Sequence, residues 1–276
     1  MMMEVSGLAG EDRSTLRVEE RDGYIEIITA LGTHIGTREY QQDAVFVSDT
    51  VCFRRSGPGK AFGILCDGMG GMADGEKASR LAVDTFSEDM TALTDFRDLP
   101  EFFRREILKA DELIFRERGG GGSGTTLVAV MIVGDQLYWA SVGDSRVYLA
   151  RGEEIVQVTR DHNYWLLLQK DIANGRTTEE EARSHPQREA LISYLGSGDV
   201  TLMDINKEPF SLRNGDIVLL CSDGLYKSLG DGEIRQTLTE YFGRMREAAQ
   251  ALPRIAFERG GGPKDNTTVA LLQYLA

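Results

Sequence analysis

Cysteine and histidine are scarce in this chain of 276 residues, three of each. Cys52, Cys66 and Cys221 are odd in number and widely spaced, which excludes a disulfide framework and the paired spacing of a structural zinc site. Two of them lie inside apolar runs, where a thiol serves as a small buried hydrophobe, and this usage points to a reducing compartment. Long apolar runs are also missing. Nothing approaches the roughly 18 residues of a membrane span, and the opening residues carry no signal-peptide core. A cytoplasmic location away from membranes is expected. Basic residues are in deficit, 31 Lys and Arg against 44 Asp and Glu, for a net charge of −13. Nucleic acid and anionic lipid both need a basic surface, so neither is an expected partner.

What the chain does have is enough apolar material for a large core, 41% of residues, in a recognisable order of patterns. Residues 1–20 are polar and weakly periodic and read as a flexible tail, ahead of one domain over 21–276. Strands are expected at 23–31, 43–47 and 60–68, the last two joined by the turn-rich RRSGPGK. That GK lacks the frame of a phosphate-binding loop. Helical spacing of apolar residues marks 74–93 and 99–118, and the glycines of 119–122 close the pair. Four short strands follow over 125–159, separated by Gly-Asp and similar turns, and read as a meander. Polar, helix-like material at about 163–198 interrupts them. Strand character returns at 201–205 and 216–221, then a helix over roughly 232–259 and a closing strand at 266–275. This order suits an α+β protein in which helices pack on sheets better than a βαβ series.

Five aspartates stand where a strand stops or a turn begins: Asp43, Asp67, Asp144, Asp223 and Asp265. Asp67, Asp144 and Asp223 each have a glycine beside them, in CDGMGG, VGDSR and CSDGL. A strand end fixes the backbone, and a neighbouring glycine lets main chain approach an ion closely. Asp-Gly is also a common turn pair, so one such site decides nothing. Five together, with so little His and Cys, point to hard divalent cations held by oxygen.

The motifs that carry these aspartates resemble, in order, those of the PPM family of metal-dependent protein phosphatases, the type 2C enzymes, in its bacterial branch. GTREYQQD (36–43), CDGMGG (66–71), GSGTTL (122–127), VGDSRVY (142–148), TRDH (159–162), CSDGL (221–225) and KDNTTV (264–269) make up the set. TTEEEARSHPQREALISYLG (177–196) is similar to the family's flap, and the resemblance runs from about Ile28 to Leu275. It implies two packed antiparallel β-sheets flanked by helix layers, an αββα sandwich with a flap insert. It implies two Mn²⁺ or Mg²⁺ ions on Asp43, Asp67 and the Gly68 carbonyl, with Asp223 and Asp265 on one of them. Asp144 and Asp223 would hold a third ion, Arg38 the substrate phosphate, and Gln42 a metal-bound water. The implied activity is hydrolysis of phosphoserine and phosphothreonine on proteins by a metal-bridged hydroxide, opposing a serine/threonine kinase, in a monomer. The alternative is a catalytically weak scaffold of the same fold.

Two positions depart from the family pattern. Met69 stands where many eukaryotic members place a histidine proposed as general acid, and Gln41 replaces the usual Asn. His34, His162 and His185 are expected to pack or hydrogen-bond, outside the catalytic set. No Cys-x₅-Arg loop follows Cys66 or Cys221, which excludes a cysteine phosphatase.

Overall fold

A computed structural model describes residues 23–57, 59–70, 72–117, 122–259 and 264–276. The expected tail at 1–20 lies outside them. The elements are β1 (Tyr24–His34), β2 (Asp43–Val47), β3 (Val51–Arg54), β4 (Lys60–Gly70), α1 (Met72–Ala92), α2 (Leu99–Glu117), β5 (Ser123–Thr125), β6 (Leu127–Val133) and β7 (Gln136–Val142). They continue with β8 (Arg146–Arg151), β9 (Glu154–Gln157), α3 (Tyr164–Ala173), α4 (Glu179–Arg183), β10 (Asp204–Ile205), β11 (Phe210–Ser211) and β12 (Ile217–Cys221). The described chain closes with α5 (Asp223–Tyr226), α6 (Asp231–Glu240), α7 (Met245–Arg259) and β13 (Thr267–Leu275).

Among the described residues, thirteen strands form two antiparallel sheets. One has the order β3-β1-β13-β12-β8-β9; the other runs β10-β7-β6-β4-β2, with β11 on β7 and β5 on β4. The period-2 geometry of a strand sorts its residues onto two cores. In β6, Val128, Val130 and Ile132 face the layer between the sheets, while Leu127, Ala129 and Met131 face α1 and α2. In β13, Ala270 and Leu272 enter the intersheet layer, and Val269 and Leu271 pack under α6 and α7. Both faces of these strands are buried, which is why they read as unbroken apolar runs. The result is the αββα sandwich that the sequence implied. Among the described residues, no helix is long and apolar enough to cross a membrane.

Four expectations need correction. The strands of 125–159 are not one meander: β6 and β7 form a hairpin in one sheet, β8 and β9 a hairpin in the other. The chain changes sheets at Gly143–Ser145, a turn that looks locally like any hairpin. β3 was not foreseen, because its apolar run, Val51 to Phe53, is too short to stand out before the turn-rich residues that follow. The helix over 232–259 is two helices with a turn at 241–244 between them. Finally, the strand expected at 201–205 is only Asp204–Ile205, and the equally short β11 gave no signal at all.

Candidate metal centre

The register of β2 on β4 places Asp43 directly opposite Asp67. Both lie in phase with residues of the intersheet core, Val45 on β2 and Leu65 on β4. The two carboxylates therefore continue that face to the open end of the sandwich. Like charges directly opposite on a sheet destabilise it, so the pair demands a proton or a cation. The second sheet contributes from across the gap. Ser222, just past β12, donates its hydroxyl to Asp43 Oδ2 at 2.8 Å and accepts the Thr268 amide of β13 at 3.0 Å. Asp223 follows immediately and opens α5. Asp265 precedes β13, and Asp144 sits at the crossing from β7 to β8.

Glycines make two of these placements possible. A Cβ on Gly68 would lie 2.2 Å from the Gly75 carbonyl oxygen and 2.6 Å from that of Gln42. Gly143 takes φ +98, and its Cβ would meet the Thr126 side chain at 2.7 Å. No L side chain suits that conformation cheaply.

A cavity of about 320 Å³ opens at this end, lined by Arg38, Gln42, Asp67, Gly68, Met69, Asp144, Glu189, Asp223, Lys227 and Asp265, among others. Asp43 lies buried beneath it. The predicted site residues Arg38, Gln42, Asp43, Asp67, Gly68, Asp144, Asp223 and Asp265 are thus at one place. A larger hollow, about 510 Å³, runs along α1 beside Lys77, Arg80 and Asp84 and holds none of the strand-end aspartates. Burial pushes the Asp43 carboxyl up to about 7, aided by Asp223 and Asp265 and opposed by the nearby Thr268 and Ser222 hydroxyls. Burial, with Asp43 and Asp223 close by, raises Asp67 well above the usual carboxylate range. Asp144 rises to about 6 from burial and the nearby Asp223. These are the marks of negative charge gathered where water cannot screen it.

Two oxygens decide whether cations fit. Asp43 Oδ1 and Asp223 Oδ1 are buried and have no hydrogen-bond partner among the described residues. Such atoms are costly unless something positive meets them. The donors are all oxygen, which suits Mg²⁺ or Mn²⁺. The outer oxygens are engaged instead by the chain's own cations: Arg38 bonds Asp265 Oδ2 at 2.7 Å, and Lys227 bonds Asp223 Oδ2 at 2.6 Å. Among the described residues no three His, Cys, Asp or Glu side chains are drawn together into a ready coordination shell. Mutual repulsion and these two ion pairs hold the carboxylates apart. Mg²⁺ needs only one or two carboxylates, since it keeps several waters.

The supporting residues were harder to foresee. Thr126 Oγ1 accepts the Asp67 amide at 3.0 Å, and Asn266 accepts the Gln42 amide at 2.8 Å while donating to the Ile35 and Tyr40 carbonyls. Both belong to quoted motifs, and a polar residue at the start of an apolar strand was their only signal. Gln41, the departure from Asn, accepts the Asp43 amide at 3.1 Å. His162 is buried and accepts the Gly143 amide on Nδ1 at 3.2 Å, so it braces the turn that carries Asp144. Burial lowers its pKa and keeps it neutral. Cys66 and Cys221 are buried, and burial raises both thiols, which rules them out as thiolates.

The family described as protein phosphatase 2C matches residues 32–255. The chain belongs to this family. Protein phosphatase PhpP of Streptococcus pneumoniae is 34% identical over 219 residues, 78% of this chain and 86% of PhpP. The crystal structure of the Mycobacterium tuberculosis serine/threonine phosphatase PstP/Ppp superposes with a TM-score of 0.74 at 30% identity, covering 90% of this chain and 98% of that one. The PstP catalytic domain in complex with two manganese ions gives 0.73 at 28% identity, over 91% and 100%. As a protein phosphatase 2C of the bacterial PPM type, the chain is a metal-dependent enzyme that dephosphorylates serine and threonine on proteins. The aspartate cavity is the candidate site for that chemistry.

Proposed function

We propose that this phosphatase opposes a serine/threonine kinase in the cytoplasm, as a monomer, with Mn²⁺ or Mg²⁺ held at the aspartate cavity. Asp43 and Asp67 would hold two inner ions, with the Gly68 carbonyl beside them and Asp223 and Asp265 on one of the two. Asp144 and Asp223 form an outer position that a third ion would use. Bound there, divalent cations lower the pKa of water and offset the charge of a phosphoryl group. Arg38 presents a planar fork of donors at the cavity mouth, suited to two phosphate oxygens at once. Its ion pair with Asp265 keeps the guanidinium aimed there before substrate arrives. Gln42, in the cavity wall, orients water. Met69 cannot donate a proton, so no side-chain acid stands at that position. The observation that carries this reading is the pair of buried, partnerless oxygens on Asp43 and Asp223.

A scaffold without catalysis would have no use for this charge, which is costly to keep buried. The test is hydrolysis of p-nitrophenyl phosphate and of a phosphothreonine peptide while Mn²⁺ is titrated against EDTA. Turnover should follow the metal, and EDTA should abolish it. Hydrolysis indifferent to EDTA would refute the reading.

A further inference from the structure

Asp144 and Asp223 each have one oxygen turned to the outer side of the cavity, and consecutive residues at the end of α5 cap them. Tyr226 donates its hydroxyl to Asp144 Oδ2 at 3.3 Å and to the Asp144 carbonyl at 3.1 Å. Lys227 donates to Asp223 Oδ2 at 2.6 Å. Tyr226 is itself held in place: the Arg146 guanidinium lies 3.5 Å from its ring centroid, and Arg146 is paired with Asp161 at 2.7 Å. An ordinary surface pair four residues apart would show the same Lys–Asp distance. What sets this one apart is its position, with both partners lining the cavity and Glu189 of the flap segment 4.0 Å from the same ammonium.

We propose that Lys227 serves as a tethered cation for the outer, Asp144–Asp223 position, so that this chain binds divalent ions tightly at the inner pair and only weakly outside. The inference rests on the metal-centre reading above. Asp223 has two faces. Its Oδ1 is buried without a partner, and its Oδ2 is neutralised by the chain's own ammonium. A divalent ion at the outer position would have to displace Lys227 or sit beside its charge, and both weaken binding. At the inner pair Lys227 meets one of four assigned carboxylates, Asp223, whereas at the outer position it meets one of only two, so its effect falls mainly on the outer ion. The Lys227–Glu189 contact also ties the flap segment to the state of this position.

The test is Mn²⁺ binding to the intact protein by calorimetry and equilibrium dialysis, with MnCl₂ as the only ligand. Wild type should take up two ions tightly and a third weakly. Lys227→Met and Lys227→Gln should tighten the third step by at least roughly tenfold, from loss of ammonium repulsion. Lys227→Arg, which keeps the charge, should titrate like wild type. Lys227 is exposed, so neither neutral variant removes core packing, and a circular dichroism melt identifies any that fails to fold. Identical titrations of wild type, Met and Gln variants would overturn the proposal alone, showing that the lysine simply swings aside. A wild type that binds no Mn²⁺ would bring down the metal-centre reading and this inference with it.

Discussion

Asp223 shows how much one side chain is asked to do. Its inner oxygen faces the cluster without a partner, and its outer oxygen is bonded by Lys227. Asp223→Asn keeps the shape and removes the charge. It should lower kcat/KM by at least about 100-fold, since even changes behind a metal ligand cost about 10- to 100-fold. Arg38→Ala should separate from it in kind, raising KM for a phosphopeptide without weakening Mn²⁺ binding. Steady-state kinetics at saturating Mn²⁺, beside a Mn²⁺ titration, distinguish the two variants. If Asp223→Asn turned over normally, its assignment would be wrong. These aspartates were legible because each ends an apolar run beside a turn. Ser222 and Lys227 were not: Ser222 acts on Asp43, 179 positions away, through a contact that only sheet register creates. Lys227 lies just beyond a motif, and nothing local distinguishes it from a solvated lysine.

Strands and turns carry the next lesson. β12 and β13 were found to within a residue or so, because strands buried on both faces read as short apolar runs with sharp ends, and the half-buried β2 because polar residues bound its short apolar run. The change of sheet between β7 and β8 was invisible, since Gly-Asp serves equally in a hairpin turn and in a crossing. Yet that crossing puts Asp144 at the cavity. Gly143→Ala should therefore destabilise the fold by at least about 1 kcal/mol, from positive φ and contact with Thr126. It should also weaken the outer metal step, because Asp144 follows directly. A thermal melt unchanged from wild type would show that the turn relaxes without cost. The break between α6 and α7 does carry a signal, Gly243 at φ +76, but a lone glycine within an otherwise helical pattern is easily read through.

For the molecule as a whole, the net charge of −13 is in part a consequence of function. Carboxylates are gathered at one end of a sandwich whose sheets could otherwise close on apolar residues alone. Without metal this has a sign. Asp43 and Asp144 have folded-state values of about 7 and about 6, above the roughly 3.9 of an unfolded aspartate. Between these limits the folded chain binds more protons than the unfolded one, so stability falls as pH rises through the window. EDTA-treated protein should melt at a higher temperature at pH 5 than at pH 7.5, and saturating Mn²⁺ should reduce that difference. An EDTA-treated melt that is flat with pH, or that rises, would contradict the buried-charge account. Crystals grown with MnCl₂ and measured at the manganese absorption edge offer the most direct view. The account predicts two strong anomalous peaks within coordination distance of Asp43 and Asp67, one also reached by Asp223 and Asp265, and a weak peak or none beside Lys227. Active protein whose manganese lay away from these aspartates would contradict it.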